Sequence, residues 1–131
     1  MKAFDSSEIK RRKAEAKEQW GQTPAYREYE VKTKSYSEEK WDALAGGTDR
    51  IMAAFAACMQ EGEASDSARA QDLVSSLQSH ITQNYYRCTK EILAGLGQLY
   101  VQDEQFRKNI DQHGSGTAAF VCEAIGIYCG S

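Results

Sequence analysis

Hydrophobic side chains recur at three- and four-residue steps along most of this chain, which is the spacing of one face of an α-helix. No stretch alternates hydrophobic and polar residues as a half-buried strand does. The pattern therefore predicts an all-α fold. The stripes expected to form its core are Trp41, Leu44, Ile51, Met52, Phe55 and Met59; Leu73, Val74, Leu77, Ile81 and Tyr85; Ile92, Leu93, Leu96, Leu99 and Tyr100; Phe106 and Ile110; and Phe120, Val121, Ile125 and Tyr128.

Capping signals predict where the helices begin. Thr23 before Pro24 is typical of a helix start, and this helix should run to about Lys34. Ser37 precedes the next helix, and Thr89 and Asp103 precede two later ones. We expect about five helices in the C-terminal part, joined by short links that favour packed neighbours.

Two features interrupt this pattern. Gly46 and Gly47 fall inside the helix that follows Ser37, and each costs about 1 kcal/mol relative to alanine in a helix interior. A kink, or a break with Thr48 as a new cap, is expected there. A polar connector at residues 62–67 and a glycine-containing break at residues 114–116 should separate other helices.

The chain divides into two parts of different chemistry. Residues 1–41 hold ten Lys/Arg against eight Asp/Glu, whereas residues 42–131 hold six against eleven. The first part also contains six aromatic residues but only Ile9 and Val31 as branched aliphatics. Such a segment cannot close a core of its own, so its rings must cover the C-terminal body or a ligand. We therefore expect residues 1–41 to form an N-terminal helical lid over a body at 42–131.

Composition excludes several classes of function. The net charge of −3 gives no concentrated cationic face for nucleic acid. We find no glycine-rich phosphate loop, nucleophile elbow or two-histidine metal motif, so we expect a protein that is not an enzyme and needs no cofactor. The N-terminus lacks signal-peptide character and the longest apolar run is too short to span a bilayer, which favours a cytoplasmic location.

The cysteines and histidines are weak candidates for a metal site. Cys58, Cys88, Cys122 and Cys129 form no close ligand pair, and buried reduced thiols are the expected state. His80 can be interpreted as a haem ligand, a contact to another ligand or a hydrogen-bonded core histidine. His113, just before a glycine, is expected to be a helix C-terminal residue and nothing more.

A small-molecule cleft is the function that the aromatic residues favour. Tyr86 and Cys88 lie at the end of the long helix, and Leu96 and Tyr100 repeat on the next one, while Tyr85 and Phe106 are expected in the core. Together with the rings of residues 20–41, they supply more flat surface with polar tips than a body this size needs. An apolar cleft with a few hydroxyl groups is typical of a ligand site.

Four motifs carry a resemblance to a known family. The chain resembles the TipAS antibiotic-recognition domain, which is the C-terminal effector-binding part of MerR-type transcriptional activators and also occurs alone. The likeness runs from about Glu15 to Cys129, in the same order and spacing. The motifs are W-G-x-T-x-A-Y from Trp20 to Tyr26, Tyr36-Ser37 with Trp41, H-I-x-x-x-Y-Y-x-C from His80 to Cys88, and L-G-x-L-Y-V-x-D-x-x-F from Leu96 to Phe106.

The resemblance implies a globin-like helical bundle with an N-terminal segment that is mobile when empty and folds over bound drug. Known ligands of the family include thiopeptide antibiotics, and a MerR-type DNA-binding domain would accompany this domain in a full regulator and supply any homodimer contact. The residues expected to line the cleft are Trp20, Tyr26, Tyr36, Trp41, Met52, Phe55, His80, Tyr86, Cys88, Gly95, Leu96 and Tyr100.

One position departs from the family pattern. Members that capture thiopeptides carry a second cysteine seven residues after the one that matches Cys88, and its thiolate adds to a dehydroalanine of the drug. That position is Gly95 here. The resemblance gives Cys88 no nucleophilic role, so we expect reversible binding.

Other functions stay open at this stage. The chain lacks a helix-turn-helix and a long coiled coil, so it is part of a longer regulator or a stand-alone protein that sequesters drug. A globin-like haem or tetrapyrrole sensor that uses His80 is an alternative from another class. A third is a structural module whose aromatic segment docks permanently on a partner protein.

Overall fold

Six α-helices make up the part of the chain that the structure, a computed structural model, describes, which is residues 24–130. No strand occurs in that range. Five of the six follow residue 37, as the sequence predicts, and the all-α fold is confirmed. The helices are α1 (Pro24–Thr33), α2 (Glu38–Gln60), α3 (Ala68–Asn84), α4 (Lys90–Gln102), α5 (Glu104–Asp111) and α6 (Thr117–Gly130).

Side-chain caps begin four of these helices. The hydroxyls of Ser37, Ser67 and Thr89 and the carboxylate of Asp103 each accept a hydrogen bond from a backbone N–H in the first turn of α2, α3, α4 and α5, respectively. These bonds satisfy donors that have no partner within the helix. The caps predicted at Ser37, Thr89 and Asp103 are therefore confirmed. Thr23, the cap predicted for α1, and Trp20 lie outside the described residues.

The break predicted at Gly46 and Gly47 is wrong, because α2 runs through both residues without interruption. Thr48 is not a cap: its hydroxyl bonds back to the Leu44 carbonyl at 3.3 Å, within the same helix. Gly47 has a packing role instead. A Cβ there would lie 2.8 Å from Cε1 of His80, so only a residue without a side chain lets this imidazole approach the helix.

The hydrophobic core lies between α2, α3, α4 and α6. The most extensive packing joins α4 to α6, followed by α2 against α3. The predicted stripes supply this core, with Tyr85 and Phe106 half-buried at its edge. Its largest fully buried side chains are Phe55, Met52, Leu77, Leu93, Ile110, Ile125, Val74 and Val121.

Two predictions about polar side chains need correction. His113 does more than end a helix, since its Nε2 lies 2.7 Å from a carboxylate oxygen of Asp49 and joins the end of α5 to α2. All four cysteines are free thiols, but only Cys58 and Cys88 are buried. Cys122 and Cys129 lie half-exposed on α6 because this face of the helix is not fully covered. Among the described helices, none combines the length and apolar character needed to cross a membrane.

Candidate ligand-binding site

Five aromatic rings meet where α1, the start of α2 and the end of α3 come together. We call this group, Tyr26, Tyr29, Tyr36, Trp41 and Tyr85, the aromatic cluster. The rings of Trp41 and Tyr85 stack at a centroid distance of 6.0 Å, and Tyr29 stacks on Tyr85 at 6.2 Å. Tyr36 meets Trp41 edge-on at 5.4 Å, and Tyr26 lies 5.6 Å from Tyr29. The N-terminal rings therefore cover one end of the body in this structure.

Three hydrogen bonds attach the α1 region to the end of α3. The ammonium group of Lys32 donates to the Thr82 carbonyl at 2.9 Å, and the Tyr36 hydroxyl donates to the Asn84 carbonyl at 2.7 Å. A carboxylate oxygen of Glu28 accepts from the backbone N–H of Arg87 at 2.9 Å. The last carbonyls of a helix have no partner within it, and a cation near them is favourable. The attachment thus depends on side chains that reach backbone groups.

His80 lies beneath this cluster, between α3 and α2. Its Nε2 is 3.0 Å from the Thr48 hydroxyl oxygen and its Nδ1 is 3.5 Å from the Asn84 amide nitrogen. The Tyr85 ring meets the imidazole edge-on at 6.1 Å. Burial lowers the pKa of His80, so the neutral ring is favoured. Because both ring nitrogens have neighbours within the protein, this geometry favours a hydrogen-bonded histidine over a haem ligand.

The tyrosine hydroxyls around the cluster are held in their neutral form. Burial raises the pKa of Tyr29 to about 12, with a smaller contribution from Tyr26. Burial also raises the pKa values of Tyr85 and Tyr86 far above their usual range. A neutral hydroxyl can both donate and accept a hydrogen bond. The cluster therefore offers flat apolar faces with a few polar edges, which suits a large and mostly apolar ligand.

The structure brings some predicted site residues together and separates others. Tyr26, Tyr36 and Trp41 lie in the aromatic cluster, and His80 contacts it through Tyr85. Trp20 lies outside the described residues.

The remaining predicted residues lie in or on the body. Met52, Phe55 and Tyr100 are buried in the core, and burial raises the pKa of Tyr100 far above its usual range. The others lie around α4: Cys88 is buried in the core at its start, Tyr86 and Leu96 are half-buried, and Gly95 is exposed.

A surface groove of about 270 Å³ lies beside α3 and the loop that follows it. It is lined by Gln78, Ser79, Thr82, Gln83, Arg87 and Cys88. Thr82 also takes part in the attachment of α1 through its carbonyl. The groove lining is polar, unlike the aromatic cleft that the sequence predicts, so the cluster is the better match to that expectation.

Sequence reasoning left two central residues out of the site. Tyr29 and Tyr85 form the middle of the cluster, yet Tyr85 was expected only in the core and Tyr29 was not selected. A signal for Tyr29 was present, because it follows Tyr26 by three residues and so lies on the same face of α1. No group of three metal-ligating side chains occurs within residues 24–130.

Comparison with protein families gives one match across most of the chain. The family model described as the TipAS antibiotic-recognition domain matches residues 13–128. The chain is 40% identical over 111 residues to the HTH-type transcriptional activator TipA of Streptomyces coelicolor, and 42% identical over 102 residues to the activator mta of Bacillus subtilis. These alignments cover 85% and 78% of this chain but 44% and 39% of the relatives, so the chain spans less than half the length of these activators.

Two solved structures have a similar fold. One is TipAS from Streptomyces lividans in complex with the thiopeptide nosiheptide, with a TM-score of 0.80 and 36% identity over 96% of this chain and 86% of that one. The other is the antibiotic-binding domain of a TipA-class multidrug resistance transcriptional regulator, with a TM-score of 0.62 and 35% identity. It covers 68% of this chain and 95% of its own.

Proposed function

This chain belongs to the TipAS antibiotic-recognition domain family, and on that premise we propose that it binds a bulky, largely apolar antibiotic at the aromatic cluster. The thiopeptide class is the first candidate, because a similar structure holds nosiheptide. The observation that carries the proposal is the cluster itself. Its rings come from α1 and from the body, so a flat ligand that enters between them contacts both parts at once.

The N-terminal segment acts as the lid of this site. It is attached to α3 by the hydrogen bonds of Lys32, Tyr36 and Glu28 and by the ring contacts of the cluster, rather than by aliphatic packing. Ordering a residue costs about 1–2 kcal/mol, whereas burial of apolar surface returns about 25 cal/mol per Å². A drug with a large apolar face supplies the additional buried surface that keeps the lid closed. The hinge lies at residues 34–37, between α1 and α2.

Binding at this site is reversible and involves no covalent bond to the protein. Gly95 is exposed on α4 and carries no thiol at the position that the family uses for covalent capture. Burial raises the pKa of Cys88 to about 11, so its thiol is protonated near neutral pH and is a poor nucleophile. After incubation with nosiheptide, intact-mass measurement should return the mass of the protein alone. A mass increased by that of the drug would contradict this part of the proposal.

The domain acts as the effector-binding part of a MerR-type activator, without catalysis of its own. Drug binding would shift the population of conformations that a DNA-binding partner domain senses. The named relatives are HTH-type activators, which supports this role and the cytoplasmic location that goes with it. A DNA-binding domain, and a homodimer formed through it, are the partners proposed for a full regulator.

Tryptophan fluorescence tests the binding proposal directly. In a Trp20→Phe variant, emission comes from Trp41, whose ring contacts Tyr29, Tyr36 and Tyr85. Titration with nosiheptide and with other macrocyclic or polycyclic antibiotics should change the emission in a saturable way for at least one class. A flat response across the panel would contradict drug binding and favour a module that docks on a partner protein.

A further inference from the structure

Two thiols from distant parts of the chain donate to neighbouring backbone carbonyls at the start of α4. The Cys88 thiol donates to the Thr89 carbonyl at a sulfur–oxygen distance of 3.8 Å. The Cys129 thiol, from the last turn of α6, donates to the Lys90 carbonyl at 3.2 Å. Thr89 and Lys90 are consecutive residues, the cap and the first residue of α4. A single turn of backbone therefore holds both sulfur atoms.

Hydrogen bonds fix the backbone on both sides of this pair. The hydroxyl of Tyr128, next to Cys129, donates to the Gln78 side-chain oxygen at 2.7 Å. The Gln78 amide nitrogen in turn donates to the Cys88 carbonyl at 2.9 Å. The backbone N–H of Cys88 donates to the Thr82 hydroxyl at 3.1 Å. The two cysteines are thus placed by a continuous network and by the packing of α4 on α6.

We propose that Cys88 and Cys129 form a reversible disulfide when the protein meets hydrogen peroxide, which makes this pair an oxidation-sensitive site outside the aromatic cluster. The other cysteines are poorly placed to compete. Cys58 is fully buried. Cys122 precedes Cys129 by two helical turns, about 10 Å along the axis, whereas a disulfide needs Cα atoms less than about 7 Å apart.

The two thiols have different roles in the reaction. Cys129 is half-exposed, and the neighbouring Lys90 ammonium opposes the increase in its pKa that burial causes. Its thiolate attacks one peroxide oxygen and breaks the O–O bond, which gives a sulfenic acid on Cys129 and a hydroxide that takes up the proton lost by the thiol and leaves as water. The protonated Cys88 thiol then condenses with this sulfenic acid: its sulfur bonds to the Cys129 sulfur, and its proton leaves with the sulfenic hydroxyl as a second water. Two thiols are oxidised, and one peroxide is reduced to two waters.

Peptide mapping under non-reducing conditions tests the pair in the full, drug-free chain. Trypsin cuts after Arg87 and Lys90 and isolates Cys88, and a glutamate-specific protease cuts after Glu123 and separates Cys122 from Cys129. After hydrogen peroxide treatment of the folded protein, the expected product is a linked Cys88–Cys129 peptide pair that a reductant abolishes. Linkages through Cys122, linkages between chains, or oxidation of single thiols without a linked pair would overturn the proposal.

Variants with a dimedone probe for sulfenic acid separate the two roles. In Cys88→Ser the Cys129 sulfenic acid has no partner and should accumulate as the dimedone adduct. In Cys129→Ser the Cys88 thiol should stay unlabelled. Cys122→Ser is the matched control on the same face of α6 and should form the disulfide as the wild type does. Labelling of Cys88 in Cys129→Ser would overturn the assigned order of steps. The peptide map of the wild-type protein tests whether the disulfide forms, even if a variant fails to fold.

Discussion

The body and the aromatic cluster of this protein are held together in different ways. In the body, aliphatic side chains and Phe55 are fully buried between α2, α3, α4 and α6. In the cluster, aromatic rings contact one another, with Tyr26 and Trp41 buried and Tyr29 and Tyr85 half-buried. Three side chains add hydrogen bonds that attach α1. Burial of apolar area dominates folding, whereas single hydrogen bonds contribute about 1 kcal/mol. We therefore expect the body to stay folded if the cluster opens, as the proposed lid requires.

The largest effect is expected from a substitution in the body. Phe55→Ala removes a fully buried ring that also contacts Phe120, and it should lower the free energy of unfolding by about 3–5 kcal/mol because a cavity remains. Urea denaturation monitored by circular dichroism gives this value. A loss below about 1 kcal/mol would show that Phe55 is not part of a close-packed core.

The cluster should affect drug binding more than global stability. Tyr29→Leu removes ring contacts to Tyr26, Trp41 and Tyr85, each pair worth about 0.5–1.5 kcal/mol, and should raise the Kd for nosiheptide about tenfold. The control is Phe120→Leu, a half-buried ring of the body, which should leave the Kd unchanged while it destabilises the fold. Equal effects of the two variants on Kd would place the drug elsewhere.

Substitution by alanine should affect stability differently at the two adjacent glycines of α2. Gly46→Ala should raise the free energy of unfolding by about 1 kcal/mol, because its Cβ meets ordinary contacts and alanine favours a helix. Gly47→Ala should not be stabilised in this way, because the new methyl group displaces the His80 ring from Thr48. Thermal unfolding of the matched pair measures the difference. The same gain in both variants would contradict a tight fit of His80 under the cluster.

The smallest expected effect is the change in the free energy of unfolding with pH that the titration of His80 causes. Its pKa is lowered in the folded protein, so below the ordinary value of 6.5 the unfolded chain binds a proton that the folded chain does not. The contribution of His80 to the free energy of unfolding is therefore complete above that value and is lost as the pH drops toward the folded pKa. The comparison is made in a His113→Asn background, which removes the other histidine. In that background, His80→Gln should flatten the dependence of the free energy of unfolding on pH in this range. An unchanged slope would contradict the assignment.

The helices were predictable from local signals, since caps such as Ser37 and Thr89 and the stripes of apolar residues act within a few positions. The break expected at Gly46 and Gly47 does not occur, because packing of His80 against the bare backbone, together with the rest of α2, outweighs the low helix propensity of glycine.

The site was predictable only in part. Tyr26, Tyr36 and Trp41 stand out because their segment has only two branched aliphatic residues. The position of Tyr85 depends on how α1 packs on the end of α3, about 50 residues later, and no local pattern shows this. Met52 and Phe55 lie on the inner face of α2 and are buried in the core. At such positions, residue type alone does not distinguish a ligand contact from a packing role.

Hydrogen exchange with and without nosiheptide tests most directly whether the α1 region is a separable lid. In the free protein, the amides of α1 should exchange much faster than those of α2 and α4, and saturation with drug should slow the exchange of α1 while the body changes little. Protection of α1 equal to that of the body in the free protein would contradict this account, as would an α1 that does not respond to bound drug.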